Sequence, residues 1–104
     1  MIDKLEMFIA LAQAQHFGRA AEALGISQPT LSTAIKGLEG ELGVMLVQRG
    51  SRFGGLTPEG HRVLDWARQI VGDARTMKQE LRAARAGLSG NVRLAVIPTA
   101  LSAV

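Results

Sequence analysis

The sequence predicts a mainly α chain, a small head of three helices followed by a long fourth helix acting as a stem. Three observations carry this expectation. Residues 20–42, AAEALGISQPTLSTAIKGLEGEL, hold two apolar stripes at helical spacing with a sharp break between them. A glycine-rich run follows, flanked by two short pieces of extended character. Beyond it, apolar residues recur from Val63 to Leu88 at intervals of 4, 3, 4, 3, 4, 3 and 4, a heptad seam.

Residues 3–15 read as the first helix, with Leu5, Phe8, Ile9 and Ala12 at i, i+3, i+4 and i+7. Its expected task is to form the core under the next two helices. Phe17 and Gly18 then mark a turn, and the second helix opens near Arg19 with Ala20, Ala21 and Leu24 inward. His16, beside the turn, reads as a surface or capping residue rather than a ligand. Ala21 and Gly25, four apart, suit a tight helix crossing, with Ile26 buried in the elbow. Gly25 stops the helix in the left-handed conformation that costs glycine nothing in Cβ sterics. Ser27 is a natural N-cap, and Pro29 sits in the following first turn, where a missing amide proton does little harm. Leu31, Ala34, Ile35, Leu38 and Leu42 form the inward stripe of the third helix, which Gly43 ends. Two short helices joined by a tight glycine turn make a helix-turn-helix unit.

The run VMLVQRGSRFGGLT supplies extended pieces at Met45 to Gln48 and around Leu56, on either side of a glycine-rich tip. This is the pattern of a β-hairpin wing, so the head is predicted to be a winged helix-turn-helix. Glycines 50, 54 and 55 make no nucleotide loop, because the Gly-Lys-Ser/Thr ending is missing. Thr57 and Pro58 open the stem with a cap and a first-turn proline. About 30 residues at 1.5 Å each give roughly 45 Å, more than so small a domain needs. The seam residues Val63, Ala67, Ile70, Ala74, Met77, Leu81, Ala84 and Leu88 are therefore assigned to pairing with a second copy. After Gly87 the run LSGN reads as a hinge, and VRLAVIP alternates like a strand. A single strand needs a sheet to join, so it is expected to begin a further domain. The expected division is a head over 1–57, a dimerisation helix over 58–87, and a hinge with a first strand over 88–104.

Composition narrows the function. With no cysteine, thiolate metal sites, disulfides and cysteine nucleophiles are excluded. The first residues carry Asp3 and Glu6 within their apolar run and resemble no signal peptide, and no segment reaches the roughly 20 apolar residues of a membrane span. A cytoplasmic location is expected. His61 and Asp65, four apart, read as a surface pair. No catalytic residue, metal site or cofactor site is assigned, and the chain does not read as an enzyme.

The chain is +3 overall, yet residues 1–60 hold five basic and six acidic groups, and residues 61–104 seven basic and three acidic. Placement therefore matters more than total charge. Opposite the apolar stripe of the third helix lie Pro29, Ser32, Thr33, Lys36, Gly37 and Gly40, with Gln28 and Thr30 at its leading end. These side chains are short, uncharged or basic, which suits a helix entering the DNA major groove. Gln28 has the two-point chemistry for an adenine edge, and Pro29, Thr30 and Thr33 offer contacts to thymine methyls. Gly37 and Gly40 each cost the helix roughly 0.8–1.0 kcal/mol relative to alanine. Close approach of a DNA phosphate or of a neighbouring helix would account for them. Arg52, near the wing tip, is assigned to the minor groove, where guanidinium groups read A·T-rich shape. Arg49 fits a phosphate contact or a solvated hairpin equally well, and Phe53 is expected to pack the wing. One head carries few cations, so pairing would be needed to double its phosphate contacts.

The string SQPTLSTAIKGLEGELGVMLVQRGSRFGGLTPEG resembles the signature of LysR-type transcriptional regulators of bacteria, and the resemblance runs from about Leu5 to Pro98. It implies a winged helix-turn-helix, a linker helix that pairs antiparallel, and an effector domain of which only the first strand is present. It implies a dimer, or a tetramer in the full-length protein, on A·T-leaning inverted-repeat double-stranded DNA. RNA polymerase is a candidate further partner, and a small co-inducer is expected to bind the missing domain. By similarity, base contacts fall on Gln28, Pro29, Thr30, Ser32 and Thr33, and phosphate contacts on Ser27, Lys36 and Arg49. The chain departs from the family in having Thr33-Ala34 where Arg-Gln is common, and Val47 where the wing often has Phe. The first departure leaves recognition leaning on Gln28, methyl contacts and the wing. The rival reading, from another class, is a coiled-coil dimerising module whose head binds protein. A membrane-surface helix over 62–85 fits poorly, since its charges surround a narrow seam.

Overall fold

Four helices carry the fold: α1 (Ile2–Ala14), α2 (Phe17–Leu24), α3 (Gln28–Leu42) and α4 (Pro58–Gly90). The computed structural model describes residues 1–48 and 53–90. They divide into two units, the first ending at Val71 and the second beginning at Gly72.

The first unit is built by helices whose ends the sequence dictates. His16 has extended backbone and caps α2, its Nδ1 accepting from Arg19 N at 3.0 Å. Ser27 Oγ accepts from Thr30 N at 3.2 Å to cap α3. Gly25 and Gly43 close α2 and α3 at φ 72° and 73°, angles that would strain a residue with a Cβ. Gly25 has nothing within 4 Å of where a Cβ would lie. Its role is thus conformational, and the expected tight crossing at Ala21 and Gly25 rests on buried Ala21 alone.

The core runs through Leu5, Phe8 and Leu11 of α1, Ala20 and Ala21 of α2, and Leu31, Ile35 and Leu38 of α3. Leu46 joins from the following loop, and Leu64, Ala67 and Val71 from α4. Burying each large apolar side chain contributes about 1.5–3 kcal/mol. The pattern deviates from expectation at two places: Leu11 takes a fully buried position, while Leu42 is 37% exposed at the last turn of α3. Ile26 packs against the core from the elbow, partly buried.

The wing is slighter than its sequence pattern suggested. Among the described residues no strand forms; Val47 and Leu56 make a single antiparallel bridge. Two backbone bonds flank it, Gln48 N to Gly55 O at 2.9 Å and Thr57 N to Leu46 O at 3.0 Å. Gly55, next to the bridge, stands at φ 98°. Phe53 packs edge-on against Phe17, ring centroids 6.3 Å apart. Thr57 Oγ1 donates to Met45 O and accepts from Gly60 N, tying the wing base to the start of α4.

The compact first unit ends at Val71 rather than at the boundary expected between residues 57 and 58. The cause is burial: Gly60, Leu64, Ala67 and Val71 are buried on the first turns of α4. In the second unit the described residues continue α4 to Gly90. The strand expected over VRLAVIP lies outside the described residues.

Candidate nucleic-acid interface

The outward face of α3 is set by what its inward face buries. With Leu31, Ile35 and Leu38 wholly or almost wholly buried, the 3.6-residue period turns Pro29, Thr33, Lys36 and Gly40 to solvent. Gln28 and Thr30 are exposed at the leading end, and Ser32 is half-buried. The structure thus brings Gln28, Pro29, Thr30, Thr33 and Lys36 onto one exposed surface, with Ser32 at its margin. Ser27 and Thr30 are tied to each other as well, with 2.8 Å between their hydroxyl oxygens. Both hydroxyls are held by the helix cap before any ligand arrives.

No carboxylate competes on this face. Glu39 is turned inward and only 8% exposed. Its Oε2 accepts from Leu46 N at 2.8 Å and from Val47 N at 3.4 Å. Glu41 is engaged by the Lys4 ammonium of α1, and that hydrogen bond holds its carboxyl below the usual range. Sequence reasoning missed the Glu39 anchor. The available signal was an acid one residue past Leu38, on the inward side of a helix that otherwise buries only apolar groups.

The structure also separates the two helical glycines of α3. A Cβ on Gly37 would lie 3.2 Å from Lys4 Nζ, at the far end of a flexible side chain. A Cβ on Gly40 would meet nothing within 4 Å. No neighbouring helix among the described residues therefore requires glycine at 40. Lys36, Glu39, Gly40, Gly43, Val44 and Met45 line an open cleft of about 510 Å³ at the C-terminal end of α3. At the other end, the space beside Gly18 is bounded by His16 and by Gln28 Oε1, 3.0 and 3.5 Å from where a Cβ would be. The α2 cap and the leading residue of α3 thus share one small volume.

Arg49 and Arg52 lie outside the described residues. Val47 is half-buried and packs against the core. On α4, Ala67 is wholly buried in the first unit's own core and Val63 packs against it, so Ala67 is not a surface position. Ile70, Met77 and Leu81 are exposed by 37%, 55% and 59%; Ala74 is half-buried and Ala84 exposed. The side chain of Leu88 lies outside the described residues. His61 is exposed, and among the described residues no three His, Cys, Asp or Glu side chains group as metal ligands. No helix among them is long and apolar enough to cross a membrane.

Residues 2–61 match the family described as bacterial regulatory helix-turn-helix protein, lysR family. Over 95 residues the chain is 45% identical to a probable hydrogen peroxide-inducible genes activator of Mycobacterium xenopi, covering 91% of this chain and 50% of the relative. Over 98 residues it is 41% identical to the DNA-binding transcriptional dual regulator OxyR of Escherichia coli K12, covering 94% of this chain and 32% of that one. The chain therefore spans half the length of the first relative and about a third of the second. Among solved structures, the BenM DNA-binding domain in complex with catB site 1 DNA superposes with a TM-score of 0.79 at 37% identity, over 84% of this chain and 94% of that one.

Proposed function

Because the chain belongs to the lysR family of bacterial regulatory helix-turn-helix proteins, we propose that it is the sequence-reading part of a transcription regulator that binds double-stranded DNA as a pair. The observation that carries this reading is the α3 surface. Gln28, Pro29, Thr30, Thr33 and Lys36 are exposed together there, while Glu39 is turned inward and Glu41 is engaged by Lys4. Gln28 reads a base edge, the methyl and ring carbons of Pro29, Thr30 and Thr33 read thymine methyls, and Lys36 meets a phosphate. Ser32, half-buried, contacts a base from the margin of the surface. Ser27, whose hydroxyl caps α3, contributes to phosphate binding mainly by holding the first-turn amides in place. Arg49 is assigned to a phosphate and Arg52 to the minor groove.

The head spans residues 1–57, the pairing helix 58–87 and the start of an effector domain 88–104, with the first turns of α4 completing the head's core. Pairing runs through Ile70, Ala74, Met77, Leu81, Ala84 and Leu88, and tetramers form in the full-length protein. RNA polymerase is a further partner. The protein works in the cytoplasm, catalyses no reaction, and holds no cofactor in this segment. A small inducing species acts on the remainder of the full-length chain. The name of the Mycobacterium xenopi relative supports hydrogen peroxide as that species.

Mobility shifts on an A·T-flanked inverted repeat, against scrambled DNA of equal composition, test the reading. Gln28→Ala should lower the preference for the repeat by about 1–3 kcal/mol. Arg52→Ala should reduce the salt slope by about one unit. Wild-type binding that ignores base order would favour the coiled-coil interaction module instead.

A further inference from the structure

Gly18 lies in the first turn of α2 and is not among the glycines of positive φ. Its backbone therefore does not ask for glycine, and the helix itself would favour alanine there. What the missing side chain leaves is room. A Cβ would stand 3.0 Å from His16 Cε1, 3.3 Å from His16 Nδ1 and 3.5 Å from Gln28 Oε1. The imidazole that caps α2 and the amide that leads α3 meet over bare backbone.

Hydrogen-bond accounting decides which end of that amide belongs there. Nδ1 of His16 accepts from Arg19 N at 3.0 Å, so the neutral ring carries its proton on Nε2, and its other nitrogen is a donor. The amides of Phe17 and Gly18 open α2 and have no acceptor within the helix. Among the described residues none is supplied from elsewhere. The helix dipole adds partial positive charge at the same place. Each of these groups favours an acceptor, so the space selects the oxygen of the Gln28 amide and turns its NH2 away.

We propose that His16 and Gly18 orient Gln28 for reading DNA. With its oxygen kept against the start of α2, Gln28 presents NH2 alone and selects a base edge that offers acceptors, guanine before thymine. This rests on Gln28 reading a base edge, as proposed above, and names which edge. The two-point adenine contact open to an unrestrained glutamine needs the oxygen at N6–H2 and the NH2 at N7. An oxygen held by the protein cannot make its half. Guanine presents N7 and O6 side by side, both acceptors, and thymine presents O4. His16 is here a positioning residue that touches no base, and the glycine at 18 keeps open the space in which ring and amide meet.

Selection of bound sites from random DNA, by the 104-residue chain and its variants, tests the orientation. The position read by Gln28 is the one whose preference disappears in Gln28→Ala. The wild type should hold guanine or thymine there; adenine overturns the proposal. His16→Asp keeps a strong N-cap but sets an acceptor-only group beside the amide oxygen. The amide should then turn over, and preference at that position alone should move to adenine, by about tenfold relative to guanine. His16→Asn, whose oxygen can cap while its NH2 donates, should keep the wild-type base. The added negative charge of His16→Asp weakens binding to all sequences alike, so the ratio between sites is what is read. Thermal melts of both variants should match the wild type. If His16→Asp weakens binding uniformly and leaves the base unchanged, His16 is a cap alone and the proposal falls, with reading by α3 intact. A wild-type chain that ignores base order, or one whose preferences all survive Gln28→Ala, overturns the reading by Gln28 and the orientation together.

Discussion

Glu39 shows how one side chain can hold a turn that the surrounding sequence does not define. Its carboxylate takes the amides of Leu46 and Val47, which lead into the wing. Glu39→Ala leaves both amides without that acceptor and should cost about 1–3 kcal/mol in urea unfolding. Glu39→Gln should cost less, because its amide oxygen still accepts. The contact was not legible in the sequence, since nothing local says that residues 46 and 47 return over residue 39. Gly60 is a second such case. A Cβ there would stand 2.2 Å from the Leu46 carbonyl oxygen, so Gly60→Ala must displace backbone and should destabilise by about 1–3 kcal/mol. In the sequence it looks like an ordinary first-turn residue. The caps, by contrast, were readable: Ser27, Pro29 and Thr57 serve the helix starts within three residues of themselves, and local chemistry suffices to place them there, although the bond from Thr57 to Met45 O was not legible. The Lys4–Glu41 pair adds a pH dependence of definite sign. The folded-state pKa of Glu41 lies below its ordinary 4.5, so its contribution is present above that value and lost as pH falls through the lower one. Lys4→Met should lower stability slightly at neutral pH and, by the same amount, flatten this part of the acid limb in chemical denaturation followed from pH 7 to pH 2.

At the scale of elements, the helices follow from apolar period and caps, and their ends shift by one to three residues, α4 running on to Gly90 through the first part of the LSGN run expected to be a hinge. The wing and the stem were harder for different reasons. Short glycine-rich extended pieces are specified by pairing partners rather than by local preference, and among the described residues pairing amounts to one bridge. In the stem, a strict heptad count assigned Ala67 to a partner, whereas Leu64, Ala67 and Val71 recur at 3 and 4 along the face the head buries. One helix serves the head's core first and, in the proposed pairing, a second surface after it, and a single period cannot describe both. Two glycines inside helices test what each element is for. Gly72 of α4 and Gly40 of α3 both have open space where a Cβ would go. Alanine at either should stabilise its helix by about 0.8–1.0 kcal/mol. Gly72→Ala should do so without effect on DNA binding. Gly40→Ala, on the Thr33 and Lys36 face, should raise the melting temperature and yet weaken DNA binding, if glycine is there to let a phosphate approach. Unchanged or tighter binding by Gly40→Ala would remove that explanation.

For the whole molecule, the proposed DNA binding draws its affinity from doubling. Residues 1–60 carry one more acidic than basic group, so long-range attraction adds little, and phosphate contacts rest on a few placed cations. Lys36, Arg49 and Arg52 supply three per head in the proposed arrangement. At roughly 0.9 counterions released per contact, one head gives a slope of log affinity against log salt of roughly −3, and a pair gives roughly −5. Leu81→Glu separates these cases cleanly. The side chain is 59% exposed and lies beyond Val71, where the first compact unit ends, so the head should melt as in the wild type. With the α4 seam interrupted by a charge, each copy should bind DNA alone, more weakly and with the shallower slope. The binding isotherm, steep in protein for the wild type at concentrations near dimer dissociation, should become simple. Titrations at four or five salt concentrations, with mass measured in parallel, decide the matter. A monomeric Leu81→Glu variant that keeps the wild-type slope and affinity would mean that one head makes every contact, and pairing would then have no part in reading DNA.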